Sequence, residues 1–290
     1  MNLTYEFVLW PNCHNDCSFC FQKEQIRRGT LRTLTDDEYV KSVNCVIEFL
    51  HATSYVYGSN VMLVGGELFD YSPCVQALHP LLKEIVPSLK SGSINELYLN
   101  TNLIYKKIHS VLAFVQSCKD AGVISKLHFT TSYDFDGRFC KGTESLMLRN
   151  LQTLTSSYPE CPVYVNTMLS KRACELIVQG KFSVREFASH YKCYVNLIPY
   201  IELIPEITAE RSLIIKALQK VDQEIPGYVT DYLTRLDINQ EKRVYQYDPD
   251  KDLLEDCSCT TLPCGHAVNF ARYSSRNTCY ICDMKLVFGL

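Results

Sequence analysis

The sequence predicts an α/β fold: a partial (β/α)6 barrel of the TIM type with a small Cys-rich metal-binding extension at its C-terminal end. Three observations carry this. Short apolar, β-rich runs alternate with helical patterns over roughly the first 200 residues, as βα units on a parallel sheet require. Six such units fit, where a closed barrel of this type has eight. The last 34 residues abandon the alternation and hold five cysteines and a histidine.

The elements follow in order. A first strand over residues 5–10 runs directly into a loop with three cysteines. A polar stretch, 22–32, leads to a helix opened by the capping box Thr35-Asp36-Asp37-Glu38, with Tyr39, Val43, Val46, Ile47 and Leu50 at helical spacing. A second strand, 55–64, ends at Gly65-Gly66-Glu67. The helix after it spans 74–89, with Pro80 and Pro87 expected to shorten or kink it. A third strand, 96–99, ends at Asn100-Thr101-Asn102 and is followed by a helix over 105–121, stopped by Gly122. A fourth, 126–131, ends at Ser132-Tyr133-Asp134, with a helix within 142–156. A fifth, Val163–Met168, precedes short helices within 172–190, and a sixth covers 193–198. Helices are then expected over 208–221 and 228–236, and residues 237–256 read as a polar linker or surface loop. The expected domains are therefore a core over 1–205, a helical extension and linker over 206–256, and a metal-binding tail over 257–290.

Composition bounds the function. With 290 residues, 47% of them hydrophobic, the chain can bury a sizeable core. A net charge of -3 lacks the basic surface that non-specific nucleic-acid binding needs. Neither a signal peptide nor a run long enough to span a membrane is visible, so a cytoplasmic protein is expected. In a reducing compartment the 15 cysteines are thiols or metal ligands. Seven of them, Cys45, Cys74, Cys118, Cys140, Cys161, Cys174 and Cys193, are scattered singly and read as small buried hydrophobes.

Cys13, Cys17 and Cys20 form a C-x3-C-x2-C set within eight residues. Three thiolates on one tight loop suit a metal cluster that takes three protein ligands and keeps one metal site open. A zinc knuckle would need a fourth ligand. His14 is the nearest, but it stands beside Cys13 and points awkwardly for the same ion.

The stretch Cys13-His14-Asn15-Asp16-Cys17-Ser18-Phe19-Cys20 resembles the C-x3-C-x-aromatic-C motif of radical S-adenosylmethionine enzymes, with Phe19 at the aromatic position. The resemblance covers about residues 3–200. Gly65-Gly66-Glu67 is similar to the family's GGE motif, Thr101-Asn102 to its T-N-G turn with Leu103 replacing glycine, and Ser132-Tyr133-Asp134 to its S-x-D. Each falls at the C-terminal end of a strand, where parallel α/β sheets bind ligands. The resemblance implies a [4Fe-4S] cluster on Cys13, Cys17 and Cys20, whose open iron chelates S-adenosyl-L-methionine. It places Gly65, Gly66 and Glu67 along the methionine moiety, with glycine there so that backbone can approach ligand. It places Phe19 by the adenine, and Asn102, Ser132 and Asp134 by the ribose and carboxylate, with Asn166 and Thr167 as weaker candidates. It implies an electron donor such as flavodoxin or ferredoxin, and reductive cleavage of the sulfonium to a 5′-deoxyadenosyl radical that abstracts hydrogen from substrate.

In the tail, Cys264, His266, Cys279 and Cys282 form a Cys3His set suited to tetrahedral zinc, with Cys257 or Cys259 able to replace His266. The alternative is an auxiliary iron–sulfur cluster, as in the SPASM and Twitch extensions of the same superfamily. Their glycine before the second cysteine of the first pair is not visible here.

The substrate is less legible. The first strand begins at residues 3–5, so no N-terminal leader-peptide-binding domain is expected. The compact core and metal-rich tail are similar to radical enzymes acting on 7-deazaguanine bases, the queuine-lyase type, which split a C–N bond. Tyr133, Phe135, Phe139 and Tyr200 near strand ends are candidates to stack on a flat base, although such positions are more often core. No general acid or base stands out. Asp136, Arg138 and Glu202 are polar groups nearby. The alternatives are a peptide-modifying radical enzyme with an auxiliary cluster and a metal-binding scaffold without activity.

Overall fold

The computed structural model describes residues 3–52, 55–70, 72–106, 108–140, 142–199, 205–237, 242–257, 264 and 279–290. It is an α/β protein whose sheet is mostly parallel and does not close. The chain divides into two compact units, Met1–Thr131 with Phe139–Val163 and Gln240–Ser258, and Ser132–Arg138 with Tyr164–Asn239 and Cys259–Leu290.

The first unit is built on β1 (Thr4–Val8), β2 (Ser59–Val64), β3 (Ile94–Asn100) and β4 (Leu127–Ser132), whose last residue is counted with the second unit. Their helices are α1 (Phe21–Arg27), α2 (Asp36–His51), α3 (Ser72–Ser91), α4 (His109–Asp120) and α5 (Thr143–Ser157). Neighbouring strands are parallel in the order β4-β3-β2-β1. One face carries Tyr5, Phe7, Val61, Leu63, Leu97, Leu99 and Phe129, all fully buried. The alternate positions Glu6, Met62, Glu96 and Tyr98 are only partly covered, so the sheet has one apolar and one mixed face. The Glu38 carboxylate of the expected capping box accepts the Thr35 N–H at 2.8 Å. Helix α3 continues through Pro80 and Pro87, so neither proline shortens it. Leu78, Leu81, Ile85 and Leu89 are fully buried along it, and their burial offsets the lost backbone bonds.

The reach 237–256 is not a linker. It contains β7 (Lys242–Asp248), parallel to β1, and β8 (Leu253–Asp256), antiparallel to β7. A six-strand count therefore stops short, and β8 ends the first unit's sheet on that side.

The second unit holds the parallel pair β5 (Val163–Met168), whose first residue is counted with the first unit, and β6 (Tyr194–Ile198). Its helices are α6 (Lys171–Val178), α7 (Val184–Tyr191), α8 (Arg211–Glu224), α9 (Tyr228–Asp237) and α10 (Tyr280–Phe288). Helix α10 is anchored by the buried Tyr280 and by Asp283, which accepts two bonds from Arg211 at 2.6 and 2.8 Å. Among the described residues no helix is long and apolar enough to cross a membrane.

Candidate functional site

The cysteine loop leaves β1 at the C-terminal end of the strand and closes into a helix. Cys20 is the N-cap of α1; its N–H donates to the Cys17 carbonyl at 3.2 Å and its carbonyl accepts the Glu24 N–H at 3.1 Å. The entry is pinned by Asn12, whose side chain donates to the Leu34 carbonyl at 3.0 Å and accepts the Leu34 N–H at 2.8 Å. Asp70 grips the loop from the other side. It accepts the His14 N–H at 2.8 Å and pairs with the His14 ring. His14 is thus committed to Asp70, which disfavours it further as a zinc ligand.

Gly65-Gly66-Glu67 continues the β1–β2 pairing past the strand ends. The Gly66 N–H donates to the Trp10 carbonyl at 2.7 Å and the Glu67 N–H to the Asn12 carbonyl at 2.9 Å. This closeness explains the glycines differently from the sequence reading. A Cβ at Gly65 would stand 2.6 Å from the Trp10 carbonyl oxygen, and one at Gly66 would overlap the Pro11 and Asn12 backbone. The close approach is to the base of the cysteine loop, so the protein itself requires glycine there.

Glu67 is fully buried, and its carboxylate turns inward. It accepts the Phe69 N–H at 3.1 Å, the Thr101 hydroxyl at 2.6 Å and the Asn102 N–H at 2.5 Å. Burial pushes its carboxyl up to about 7, against these three bonds, which favour the charged form. Glu67 therefore fastens the turn after β3 to the turn after β2.

In that turn Leu103 stands where glycine was expected, yet its backbone keeps a left-handed φ of 55°. The strain of a buried β-carbon there is held by Asn150, whose amide donates to the Leu103 and Tyr105 carbonyls at 2.9 and 2.8 Å. Asn102 caps the turn by accepting the Ile104 N–H at 2.6 Å and aims its amide at the Cys13 sulfur, 3.6 Å away.

Cys13, Glu67, Thr101 and Asn102 are thereby joined in one hydrogen-bonded assembly. Cys13 also borders a cleft of about 350 Å³ shared with Thr33, Leu34 and Tyr39. Burial pushes the Cys13 thiol up to about 12, opposed by an N–H from Asn15. Phe19 is half-buried within the loop.

Ser132 and Asp134 are counted with the second unit. Asp134 is buried and both its oxygens are engaged, one by the Met168 N–H at 2.8 Å and the other by Arg138 at 2.6 Å. It braces the strand ends rather than offering a free carboxylate. Asn166 accepts the Tyr133 N–H, Thr167 is fully buried, and Asp136 bonds to Ser170. Tyr133 and Phe135, both half-buried, pack with Phe182 and Phe187 at ring separations of 4.9–6.1 Å. Tyr200 and Glu202 lie outside the described residues.

In the tail, the sulfurs of Cys264, Cys279 and Cys282 lie within 4.8 Å of one another. Cys279 is the N-cap of α10 and Cys282 sits in its first turn, so helix geometry sets that pair. Tetrahedral zinc–thiolate bonds of about 2.3 Å put sulfurs about 3.8 Å apart, so the trio can hold a metal ion. His266 and Cys259 lie outside the described residues. Cys257 is counted with the first unit, where its N–H donates to the Val244 carbonyl at 2.7 Å. Among the described residues no other trio of Cys, His, Asp or Glu draws so close. The sulfurs of Cys13, Cys17 and Cys20 do not all lie within 4.8 Å of one another, a poor fit to one ion. Of the scattered cysteines, Cys74, Cys118, Cys161, Cys174 and Cys193 are buried as expected, but Cys140 is exposed and Cys45 half-buried.

The residues that sequence reading missed are Asn12, Asn15 and Asp70. Their signal was faint: two amides flanking the cysteines and one acid three positions after Glu67. No model of a known protein family matches the chain, and no curated protein matches it.

Proposed function

We propose that the protein is a radical S-adenosylmethionine enzyme acting on a small, flat, purine-like base, with C–N bond cleavage of the queuine-lyase type as the reaction. One observation carries the radical-enzyme reading, while the base and the C–N cleavage rest on the sequence resemblance alone: the cysteine loop, Gly65-Gly66-Glu67 and Thr101-Asn102 meet in a single hydrogen-bonded assembly at the C-terminal ends of parallel strands. Cys13, Cys17 and Cys20 hold a [4Fe-4S] cluster. Bound there, the cluster and S-adenosylmethionine supply a 5′-deoxyadenosyl radical when an electron arrives from a flavodoxin- or ferredoxin-type donor. The chain's own part is to position and to exclude water. Glycine backbone at 65 and 66 fixes the loop base, Glu67 locks the neighbouring turn, and Asp70 fastens the loop through His14.

The tight sulfur spacing of Cys264, Cys279 and Cys282 favours one zinc ion over an auxiliary cluster. With Cys279 and Cys282 opening α10, the ion ties the tail to a packed helix. Metal analysis after anaerobic reconstitution tests both assignments. About four irons and about one zinc per chain are expected, with Cys17→Ala losing iron and keeping zinc. A wild-type chain that takes up no iron refutes the proposal, and eight irons without zinc refute the tail assignment.

A further inference from the structure

The Asn15 side chain lies inside the cysteine loop with only 4% of its surface exposed. Its Nδ2 donates to the Cys17 sulfur at 3.0 Å, within hydrogen-bond range for a sulfur acceptor. Its backbone N–H donates to the Cys13 sulfur. A second amide, Asn102 Nδ2, approaches the Cys13 sulfur from the turn after β3 at 3.6 Å. Two of the three cysteines thus receive N–H donors, and Asn15 serves both. The loop could have closed without them: its backbone turn is made by Cys20 and Cys17, and its outer face is held by Asp70.

Sulfur-directed donors have a defined electrostatic consequence. One-electron reduction of an iron–sulfur cluster adds negative charge that spreads onto its thiolate ligands. A fixed N–H dipole aimed at such a sulfur stabilises the reduced state more than the oxidised one, so it raises the reduction potential. The effect is larger where water is excluded, because the local dielectric is low.

On the reading that Cys13, Cys17 and Cys20 hold a cluster, we propose that Asn15 is a positioning residue for electron entry, its buried amide raising the cluster's reduction potential through the Cys17 sulfur. Asn102 acts in the same direction, more weakly, through Cys13. The electron comes from an external low-potential one-electron reductant, and the amide proton stays on nitrogen throughout.

The test is an EPR-monitored redox titration of reconstituted full-length protein against a low-potential reductant. Asn15→Leu and Asn15→Asp are compared with wild type at matched iron and sulfide content. Both midpoints are expected to move to more negative potential, Asn15→Asp further because it adds a charge. Asn102→Asp keeps the acceptor for the Ile104 N–H, loses the sulfur-directed donor and, like Asn15→Asp, adds a charge; a shift of the same sign, smaller than that of Asn15→Asp, is expected. Unchanged midpoints in variants with full clusters overturn the proposal. A readout without substitution stands beside it: pulsed EPR of the reduced wild-type protein grown with 15N-asparagine. Coupling from asparagine nitrogen is expected, and its absence overturns the proposal even if every variant loses its cluster. A wild-type protein that holds no cluster at all sinks the functional reading instead, and metal analysis shows this before any titration begins.

Discussion

The Thr101 hydroxyl donates to the buried Glu67 carboxylate at 2.6 Å. An acidic residue expected to face a ligand instead binds one strand-end turn to the next, with the Asn102 N–H on its other oxygen. The candidate site is held together from behind by this carboxylate.

Glu67→Gln is expected to destabilise the fold by about 1–3 kcal/mol, because an amide supplies one acceptor oxygen where three donors converge. Chemical denaturation at fixed pH reads this. A loss below a few tenths of a kcal/mol would contradict the bracing role.

The same carboxyl predicts a pH dependence. Its folded value is raised from 4.5 to about 7, so the native state holds the proton more tightly than the unfolded chain does. The stability it contributes is complete below pH 4.5 and is lost as pH rises toward 7, by about 3 kcal/mol in all. Denaturation midpoints across that window should fall less steeply in Glu67→Gln than in wild type. Parallel profiles would show that Glu67 is already charged at low pH.

Gly66→Ala should cost about 3 kcal/mol, because its new methyl group meets rigid backbone at Pro11 and Asn12. Gly29 offers the control. Unlike Gly66 it has a positive φ, 71°, but nothing lies within 4 Å of an added Cβ, so Gly29→Ala should carry only the backbone strain, about 1 kcal/mol. Equal losses in thermal melts would mean that the loop base yields.

Leu103 joins two opposed effects. Truncation removes a fully buried side chain, while glycine alone relieves the left-handed backbone. Leu103→Ala should therefore be about 1 kcal/mol less stable than Leu103→Gly, the reverse of the order seen where φ is negative. Urea unfolding of the two variants decides it.

Much of this architecture was legible because it rests on apolar periodicity. The span Val163–Met168 alternates buried and half-buried residues and matches its strand end for end. Strand β7 was hidden for the opposite reason. Lys242-Arg243-Val244-Tyr245-Gln246-Tyr247-Asp248 buries fully only Tyr247, so its pattern reads as polar loop. Helix α1 was hidden likewise. Apart from Phe21 and Ile26 it is polar, and surface pairs from Glu24 to Arg27 and Arg28 support it. At the site, sequence order located Gly65, Gly66, Glu67 and Asn102 at strand ends, but could not tell a ligand-facing group from a bracing one. That distinction depends on where Glu67 and Asp134 turn their carboxylates, and both turn to protein donors.

On the proposed function, three cysteines and two strand-end turns form a site for reductive cleavage of S-adenosylmethionine. The most direct measurement is chromatography of an anaerobic mixture of reconstituted protein, S-adenosylmethionine and dithionite. 5′-Deoxyadenosine and methionine are expected in equal amounts from wild type, and none from Cys17→Ala. Wild-type protein with a full cluster that leaves S-adenosylmethionine intact would contradict the proposed function.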